Sequence, residues 1–175
     1  VQNCVFYNTK GISNSGVGNI VSHNYLSNTV GSCIYLTASK ESVVEYNEIV
    51  AGPMVVLDAG AIYVNGNNLY CRGTHVRYNY IHDAPLEPRA IYFDDMAVEY
   101  YAYGNIVTDG GWMQLHNGIE NTVYNNIFMN YENSKGERLI NARELHKELN
   151  NKRQFSNWIK QRVEKYKFLI NKDFI

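Results

Sequence analysis

The chain lacks the features that would assign its class at once. Its 175 residues contain three cysteines, Cys4, Cys33 and Cys71. This odd number provides no disulfide framework, so we expect buried thiols. No apolar run approaches the roughly 20 residues of a transmembrane helix, so we predict no membrane partner. The sequence turns polar immediately after Val1, with no initial Met and no signal peptide, and we expect a fragment that begins inside a repeat.

Lysine is scarce before residue 134, and glycine is absent after Gly136. Residues 1–133 contain five Lys and Arg against twelve Asp and Glu, a formal charge of −7. Residues 134–175 contain eleven against five, a charge of +6. A charge asymmetry of this size indicates two units with different partners. We therefore predict a strand-rich repeat domain at residues 1–133 and a helical segment at residues 134–175.

What is present in the first domain is a repeat. One motif consists of an aromatic or polar residue, Asn, any residue and Ile or Leu. Its last position is taken as Leu26, Ile49, Ile81, Ile106 and Ile127. A second motif, a small residue followed by Ile, Tyr and another apolar residue, is typified by 33–36, 61–64 and 90–93, and 112–115 is aligned with it. Short strands punctuated by Gly and Asn at a period of 20–30 residues favour a solenoid.

The predicted fold class is mainly β: a right-handed parallel β-helix of about five coils, followed by a small α-helical C-terminal segment. In such a coil we expect Asn to adopt the left-handed conformation at a turn and to hydrogen-bond the Asn of the next coil.

Residues 1–131 resemble the right-handed β-helix repeat region of pectate-lyase-like proteins. The stretches 58–63, 77–83, 91–95 and 125–128 are similar, more narrowly, to the β-helix domain of secreted bacterial glycoside hydrolases. This resemblance implies a polysaccharide partner and export from the cell.

Aligning the second motif from coil to coil places polar residues in columns. The position after the strand reads Thr37, Asn65, Asp94 and His116. Because coils stack at the strand spacing, Asp94 and His116 should lie roughly 5 Å apart. The position upstream of the same strand reads Val30, Asp58, Glu87 and Asp109.

Glycoside hydrolysis needs two carboxyl groups, one protonated and one ionised. The predicted catalytic residues are Asp94, Asp95, Asp58 and His116. We expect the proximity of Asp94 and Asp95 to raise one carboxyl pKa and supply the acid. The predicted substrate-binding residues are His82, Asp83, Tyr92 and Trp112. Hydrolysis requires no cofactor or metal, whereas a polysaccharide lyase would use clustered Asp to hold Ca²⁺.

The same residues also have purely structural interpretations. Asp58 can cap a turn, Asp94 and Asp95 can form a solvated turn, His116 can be a turn residue, and 82–83 can be a local hydrogen-bonded pair. The domain would then be a non-catalytic β-helix for glycan binding or a tailspike-type structure. Whether the chain is an enzyme stays open at this point.

The last 40 residues are patterned for helices. Asn141 and Glu144 form a capping box. A second helix is predicted from about Gln154, with an apolar face formed by Phe155, Trp158, Ile159, Val163 and Tyr166.

Residues 137–175 resemble the AntA/AntB antirepressor family of phages and prophages, through 139–146, 155–160 and 167–174. The resemblance implies a cytoplasmic regulator that opposes a phage repressor by protein contact or by association with DNA, with no catalysis. In that case the β-helix is incidental to the function. Because the two resemblances belong to different compartments, we leave localisation unassigned and expect the join to reflect recombination.

Overall fold

The computed structural model describes residues 1–50, 58–66, 71–84, 89–109, 111–129, 146, 152 and 154–166. The chain divides into two compact units, Val1–Asn130 and Tyr131–Ile175. No helix among the described residues is long and apolar enough to cross a membrane.

The described part of the first unit contains sixteen short strands in three sheets. Sheet 1 consists of β1 (Val5–Tyr7), β4 (Tyr25–Ser27), β7 (Glu48–Val50), β10 (Tyr80–His82), β13 (Ile106–Thr108) and β16 (Ile127–Met129). Sheet 2 consists of β2 (Ile12–Val17), β5 (Ile34–Lys40), β8 (Gly60–Asn65), β11 (Arg89–Phe93) and β14 (Trp112–Leu115). Sheet 3 consists of β3 (Ile20–Ser22), β6 (Val43–Glu45), β9 (His75–Arg77), β12 (Tyr101–Tyr103) and β15 (Thr122–Tyr124).

Consecutive strands lie in different sheets. Each strand pairs in parallel with the strand that comes three places later in the chain, as β1 does with β4. The chain therefore visits sheets 1, 2 and 3 in turn and repeats the circuit. The prediction of a mainly β unit followed by a short helix is confirmed.

Apolar side chains of all three sheets point inward and form the core. In sheet 2, Ile34 pairs with Ile62 and Ile62 with Ile91, and all three are fully buried. Burying each such side chain contributes about 1.5–3 kcal/mol. Because side chains alternate along a strand, the residues between the buried positions face outward.

The alignment of the first motif is wrong by one residue in its last two coils. The register joins Leu26 to Ile49 and Ile49 to Ile81, and then continues through Val107 and Phe128. Ile106 and Ile127 lie one residue earlier along their strands, at a partly exposed position. The register pairs Tyr80 with Ile106 and Ile106 with Ile127. A one-residue slip moves a side chain to the other face of a strand.

A ladder of asparagines runs along the corner between sheets 3 and 1. It consists of Asn24, Asn47, Asn79, Asn105 and Asn126. From Asn47 onward, each side-chain oxygen accepts both the backbone N–H and the side-chain amide of the ladder asparagine in the preceding coil, at 2.8–3.1 Å. From Asn47 onward each amide also donates to a carbonyl of sheet 3, as Asn79 does to Val44 at 3.0 Å. The predicted coil-to-coil bonding of asparagines is confirmed.

The left-handed conformation belongs to the residue before each ladder asparagine, which corrects the expectation. His23, Tyr46, Tyr78, Gly104 and Asn125 have φ between 53° and 65°. At Gly104 the ring of Tyr78 covers the backbone so closely that a Cβ would lie 2.6 Å from Tyr78 Cδ1. The close approach of this ring therefore favours glycine at position 104, since the positive φ alone is adopted by His23, Tyr46 and Tyr78 as well.

Two of the three thiols are buried, as predicted, and one is not. Cys33 and Cys71 are buried, and burial raises the pKa of the Cys33 thiol to about 11. Cys4 is exposed. Its backbone N–H donates to Asn24 Oδ1 at 3.1 Å, so Cys4 stands where the later coils have asparagine.

The described part of the second unit contains one helix, α1 (Phe155–Tyr166). Trp158 is buried, and its ring lies 6.1 Å from the ring of Phe155 and 5.2 Å from that of His146. The helix predicted from about Gln154 is confirmed. The predicted capping box at 141–144 lies outside the described residues.

Candidate functional site

The outer face of sheet 2 carries a stack of tyrosines. The strand register aligns Tyr35, Tyr63, Tyr92 and Gln114 on successive coils. The ring centroids of Tyr35 and Tyr63 are 5.4 Å apart, and those of Tyr63 and Tyr92 are 5.1 Å apart. The stacked rings lie next to the column of outward-facing residues two positions further along the chain, to which Asp94 belongs.

Asp94 and His116 meet across neighbouring coils. Each follows directly after a strand, β11 and β14, and the His116 N–H donates to the Phe93 carbonyl at 2.8 Å. His116 Nδ1 lies 2.7 Å from Asp94 Oδ1. Because an ionised carboxylate only accepts, the imidazole carries its proton on Nδ1. The predicted proximity of these two residues is confirmed.

Asp94 is buried, and hydroxyl groups of the tyrosine stack hold its carboxylate. Tyr63 Oη donates to Asp94 Oδ2 at 2.7 Å. Burial acts to raise the pKa of Asp94, but hydrogen bonds from Tyr63, His116 and Tyr92 outweigh it, so that pKa lies below its usual value. The raised carboxyl pKa that was expected of one member of the Asp94 and Asp95 pair is therefore not found at Asp94. Asp94 is an ionised residue that orients its partners.

The two tyrosine hydroxyls stay protonated. Burial raises the pKa of Tyr63 and of Tyr92, and the hydrogen bond to the Asp94 carboxylate raises each of them further. The Tyr63 phenol is thus a donor to Asp94 throughout the neutral pH range.

His116 is the accessible member of the pair. The hydrogen bond to Asp94 raises the pKa of His116 above its usual value, because it favours the charged imidazolium. Asn117 Nδ2 lies 3.2 Å from His116 Nε2 and donates to Asp95 Oδ1 at 3.1 Å. Asp95 Oδ1 is 3.6 Å from His116 Nδ1, and its side chain is 57% exposed. Asp94, Asp95 and His116 therefore form one cluster at the edge of sheet 2.

Asp58 lies apart from this cluster, next to a pocket. Its Oδ1 is 3.6 Å from an Arg89 guanidinium nitrogen. The pocket has a volume of about 300 Å³, and its polar lining includes Lys10, Ser13, Ser32, Tyr35, Asp58 and Tyr63. Tyr63 belongs to both places, since it lines the pocket and bonds Asp94.

His82 and Asp83 lie on sheet 1, and the structure does not bring them to the cluster on sheet 2. His82 Nδ1 is 2.8 Å from Asp83 Oδ2, and Nε2 is 3.3 Å from Glu48 Oε1. The His82 ring stacks on Tyr80 at 4.3 Å. The geometry is that of the local hydrogen-bonded pair described above.

The two aromatic residues expected to stack on sugar differ in exposure. Tyr92 is 3% exposed. One face of its ring is covered by Tyr63, and the Arg89 guanidinium lies 4.5 Å from the ring centroid, so Tyr92 offers no free face. Trp112 is 55% exposed at the start of β14, opposite Arg89.

The upstream column is also corrected. Asp109 aligns with Asp83 in sheet 1, because His82 pairs with Thr108 and Asp83 N–H donates to the Thr108 carbonyl. It therefore does not follow Asp58 in a column. Glu87 lies outside the described residues.

Sequence reasoning missed the hydroxyl of Tyr63 and the amide of Asn117 as partners of the cluster. The second motif could have indicated Tyr63, because it aligns Tyr63 with Tyr92 and places it two residues before Asn65, which shares a column with Asp94. The signal for Asn117 was weak, because an Asn before Gly118 equally indicates a turn.

The cluster does not fit the Ca²⁺ ion that a lyase would use. Calcium takes six to eight oxygen ligands. Here only two of the three side chains supply oxygen ligands, and the third is an imidazole. No step is therefore assigned to calcium.

The family model described as the AntA/AntB antirepressor matches residues 140–175. No curated protein and no solved structure matches the chain. The predicted resemblance of the C-terminal segment is thus confirmed. The match covers far less than half of the chain, so this segment alone is similar to the antirepressor family.

Proposed function

We propose that the second unit is a phage antirepressor module, whose partner is a phage repressor protein or its DNA. The family match at residues 140–175 carries this proposal. It favours the regulator over the enzyme as the function of the whole chain.

The helix of the second unit supports a contact role. Trp158 is buried against Phe155 and His146, so these rings hold α1 in place. Lys160 and Gln161 are exposed on the helix. Together with the charge of +6 over residues 134–175, the exposed Lys160 suits an acidic protein surface or a phosphate backbone.

The test uses the full chain and repressor–operator complexes of temperate phages in a gel-shift assay. We expect the chain to release operator DNA from at least one repressor, and Lys160→Glu to weaken that release. The matched control is Ser156→Ala, an exposed change on the same helix. Release that is absent with every repressor, while the chain also fails to bind operator DNA, would reject the proposal.

For the first unit, we propose a right-handed parallel β-helix of about five coils. The strand order of the three parallel sheets supports it, because each circuit of the chain adds one strand to each sheet. Right-handed crossovers between parallel strands are the strong rule. A crystal structure of the chain tests both the coil and its hand.

We further propose that this unit is carbohydrate-active, with the cluster of Asp94, Asp95 and His116 as its site. The observation that favours it is the ionised, buried Asp94 orienting an exposed His116 beside the exposed Asp95. Such an arrangement supplies a proton carrier and a carboxylate within reach of one bond.

In this proposal Asp94 is a positioning residue, while His116 and Asp95 contact the substrate. Asp58 and the pocket bind a neighbouring part of the polysaccharide, and the exposed ring of Trp112 offers a stacking surface. Hydrolysis and elimination both remain compatible with these groups.

The test is product release from a polysaccharide panel by the full chain. We expect Asp94→Asn to lower kcat by a factor of about 10²–10⁴, because the imidazole loses its orienting carboxylate. Glu120→Gln, an exposed change elsewhere, serves as the control, and thermal melting verifies folding. Equal product from Asp94→Asn and the unchanged chain would reject the assignment.

A further inference from the structure

Three possible metal ligands from two neighbouring coils converge at the edge of sheet 2. Asp94, Asp95 and His116 each offer one ligand atom, and these three atoms lie within 4.8 Å of one another. We infer that these three side chains bind a divalent transition-metal cation of the Zn²⁺ type. This binding goes beyond both functions proposed above and is measured without any substrate.

The distances suit a small cation. Tetrahedral coordination with bonds of about 2.0–2.2 Å places neighbouring ligand atoms about 3.3 Å apart. His116 Nδ1 is 2.7 Å from Asp94 Oδ1 and 3.6 Å from Asp95 Oδ1, and these two values bracket that spacing. Small side-chain rotations therefore bring all three atoms to bonding distance.

The donor set selects the class of cation. One imidazole nitrogen and two carboxylate oxygens are ligands that Zn²⁺ and its first-row neighbours accept. Calcium prefers oxygen ligands in larger number, and magnesium binds through one or two carboxylates with several retained waters. The imidazole nitrogen therefore favours the transition metals.

The surroundings hold the ligands in place, as second-layer contacts do in metal sites. Tyr63 Oη donates to Asp94 Oδ2, which leaves Asp94 Oδ1 for the cation. The cation displaces the proton of His116 Nδ1, and the neutral ring then carries its hydrogen on Nε2. Asn117 lies 3.2 Å from Nε2, and its amide accepts this hydrogen once it turns its oxygen toward the ring.

Asn65 provides an independent observation. Asn65 is the last residue of β8 and lies next to Asp94, because the preceding residues, Val64 and Phe93, pair with each other. Asn65 Oδ1 is buried and accepts no hydrogen bond from the described residues. Its Nδ2 lies 3.5 Å from Tyr63 Oη, the hydroxyl that bonds Asp94. A buried carbonyl oxygen without a donor costs free energy, and a cation within its reach would offset that cost.

The site is open on one side. The side chains of Asp95 and His116 are 57% and 48% exposed. A cation can therefore enter from solvent, and its fourth position faces outward, where catalytic metal sites keep water.

The test is equilibrium dialysis and calorimetry of the untagged full chain with ZnCl₂, in a Cys4→Ser background that removes the exposed thiol. We expect one Zn²⁺ per chain. His116→Gln and Asp95→Asn should each weaken binding at least about a hundredfold, and Tyr63→Phe about tenfold. Both ligand variants change exposed side chains, so folding is expected to persist and is checked by melting.

His82→Gln is the matched control, because His82 also lies between two carboxylates, on another sheet. It should leave the affinity unchanged. Visible absorption after Co²⁺ replacement should show the strong bands of a tetrahedral site. The inference fails if the chain takes up no stoichiometric Zn²⁺, or if binding survives in both His116→Gln and Asp95→Asn. Either result leaves the proposals for sugar cleavage and repressor binding to their own assays.

Discussion

Two polar columns run across the coils of the first unit, and they are built in opposite ways. The asparagine ladder repeats one residue on five coils, and Asn24, Asn47, Asn79 and Asn105 are at most 2% exposed. The outward column of sheet 2 changes residue at each step, from Thr37 through Asn65 and Asp94 to His116. In the ladder each amide satisfies its neighbour. In the outward column each contact occurs once and leaves atoms facing solvent. Uniform polar columns support a repeat, and irregular ones mark candidate sites.

The largest expected effect breaks the uniform column. Asn79→Ala removes the acceptor for the N–H and the amide of Asn47, and the donor to the Val44 carbonyl. Buried groups left unpaired cost about 1–3 kcal/mol each, so we expect a loss of about 3 kcal/mol in the free energy of unfolding. Urea titration measures it, with the exposed Ser13→Ala as the control. A loss below about 1 kcal/mol would show that the ladder carries little stability.

The next effect is at the corner beside the ladder. Gly104→Ala places a Cβ against the ring of Tyr78 at a positive φ of 65°. We expect destabilisation of about 1–3 kcal/mol, measured in the same titration. Gly31 has open space around its Cα, so Gly31→Ala should change stability by less than about 1 kcal/mol. Equal effects of the two changes would contradict the close packing of Tyr78.

A smaller effect is expected in the irregular column. Tyr63→Phe removes one donor to the buried Asp94 carboxylate. A hydrogen bond to a charged group contributes about 1.5–3 kcal/mol, and partial exposure reduces it, so we expect a loss of about 1 kcal/mol. Tyr35→Phe, on the same stack, is the control and should be close to neutral. If both variants melt alike, the Tyr63 hydroxyl does not hold Asp94.

The smallest effect depends on pH and lies in sheet 3, outside both columns. Burial lowers the pKa of His75, and the positive charge of Arg77 lowers it further. The unfolded chain therefore binds a proton that the folded chain does not, in the window between the folded pKa and about 6.5. Stability from this residue is complete above about pH 6.5 and is lost as the pH falls through that window. Between pH 7.5 and 5.5 the unchanged chain should lose more stability than His75→Phe, and an equal loss would contradict the shift.

The repeat was predictable because its strands and asparagines recur in the sequence. The registers of Ile34, Ile62 and Ile91 follow directly from the second motif. The same alignment brought Asp94 to His116, because β11 and β14 keep the predicted register from Ile91 to Phe93. The helix of the second unit followed from its apolar spacing.

Other features depended on information that the motifs do not hold. In the sequence alignment Tyr103 was matched to the aromatic first position of the motif, but in the structure Gly104 holds that position. The alignment therefore placed Ile106 one residue away from its true register. The lowered pKa of Asp94 depends on hydroxyl groups from two other strand positions. Asp109 failed to follow Asp58 because the segments between strands differ in length.

Successive ladder asparagines are separated by 23, 32, 26 and 21 residues, yet their amides bond in the same way at every step. The hydrogen bonds fix the position of one asparagine in each coil, and they place no requirement on the length of the segment between one asparagine and the next. A whole coil can thus be inserted or deleted at an asparagine and leave every remaining amide with two neighbours of the same kind. The ladder makes the coil the natural unit of exchange, so variation in loop length can accumulate without disturbing the stack.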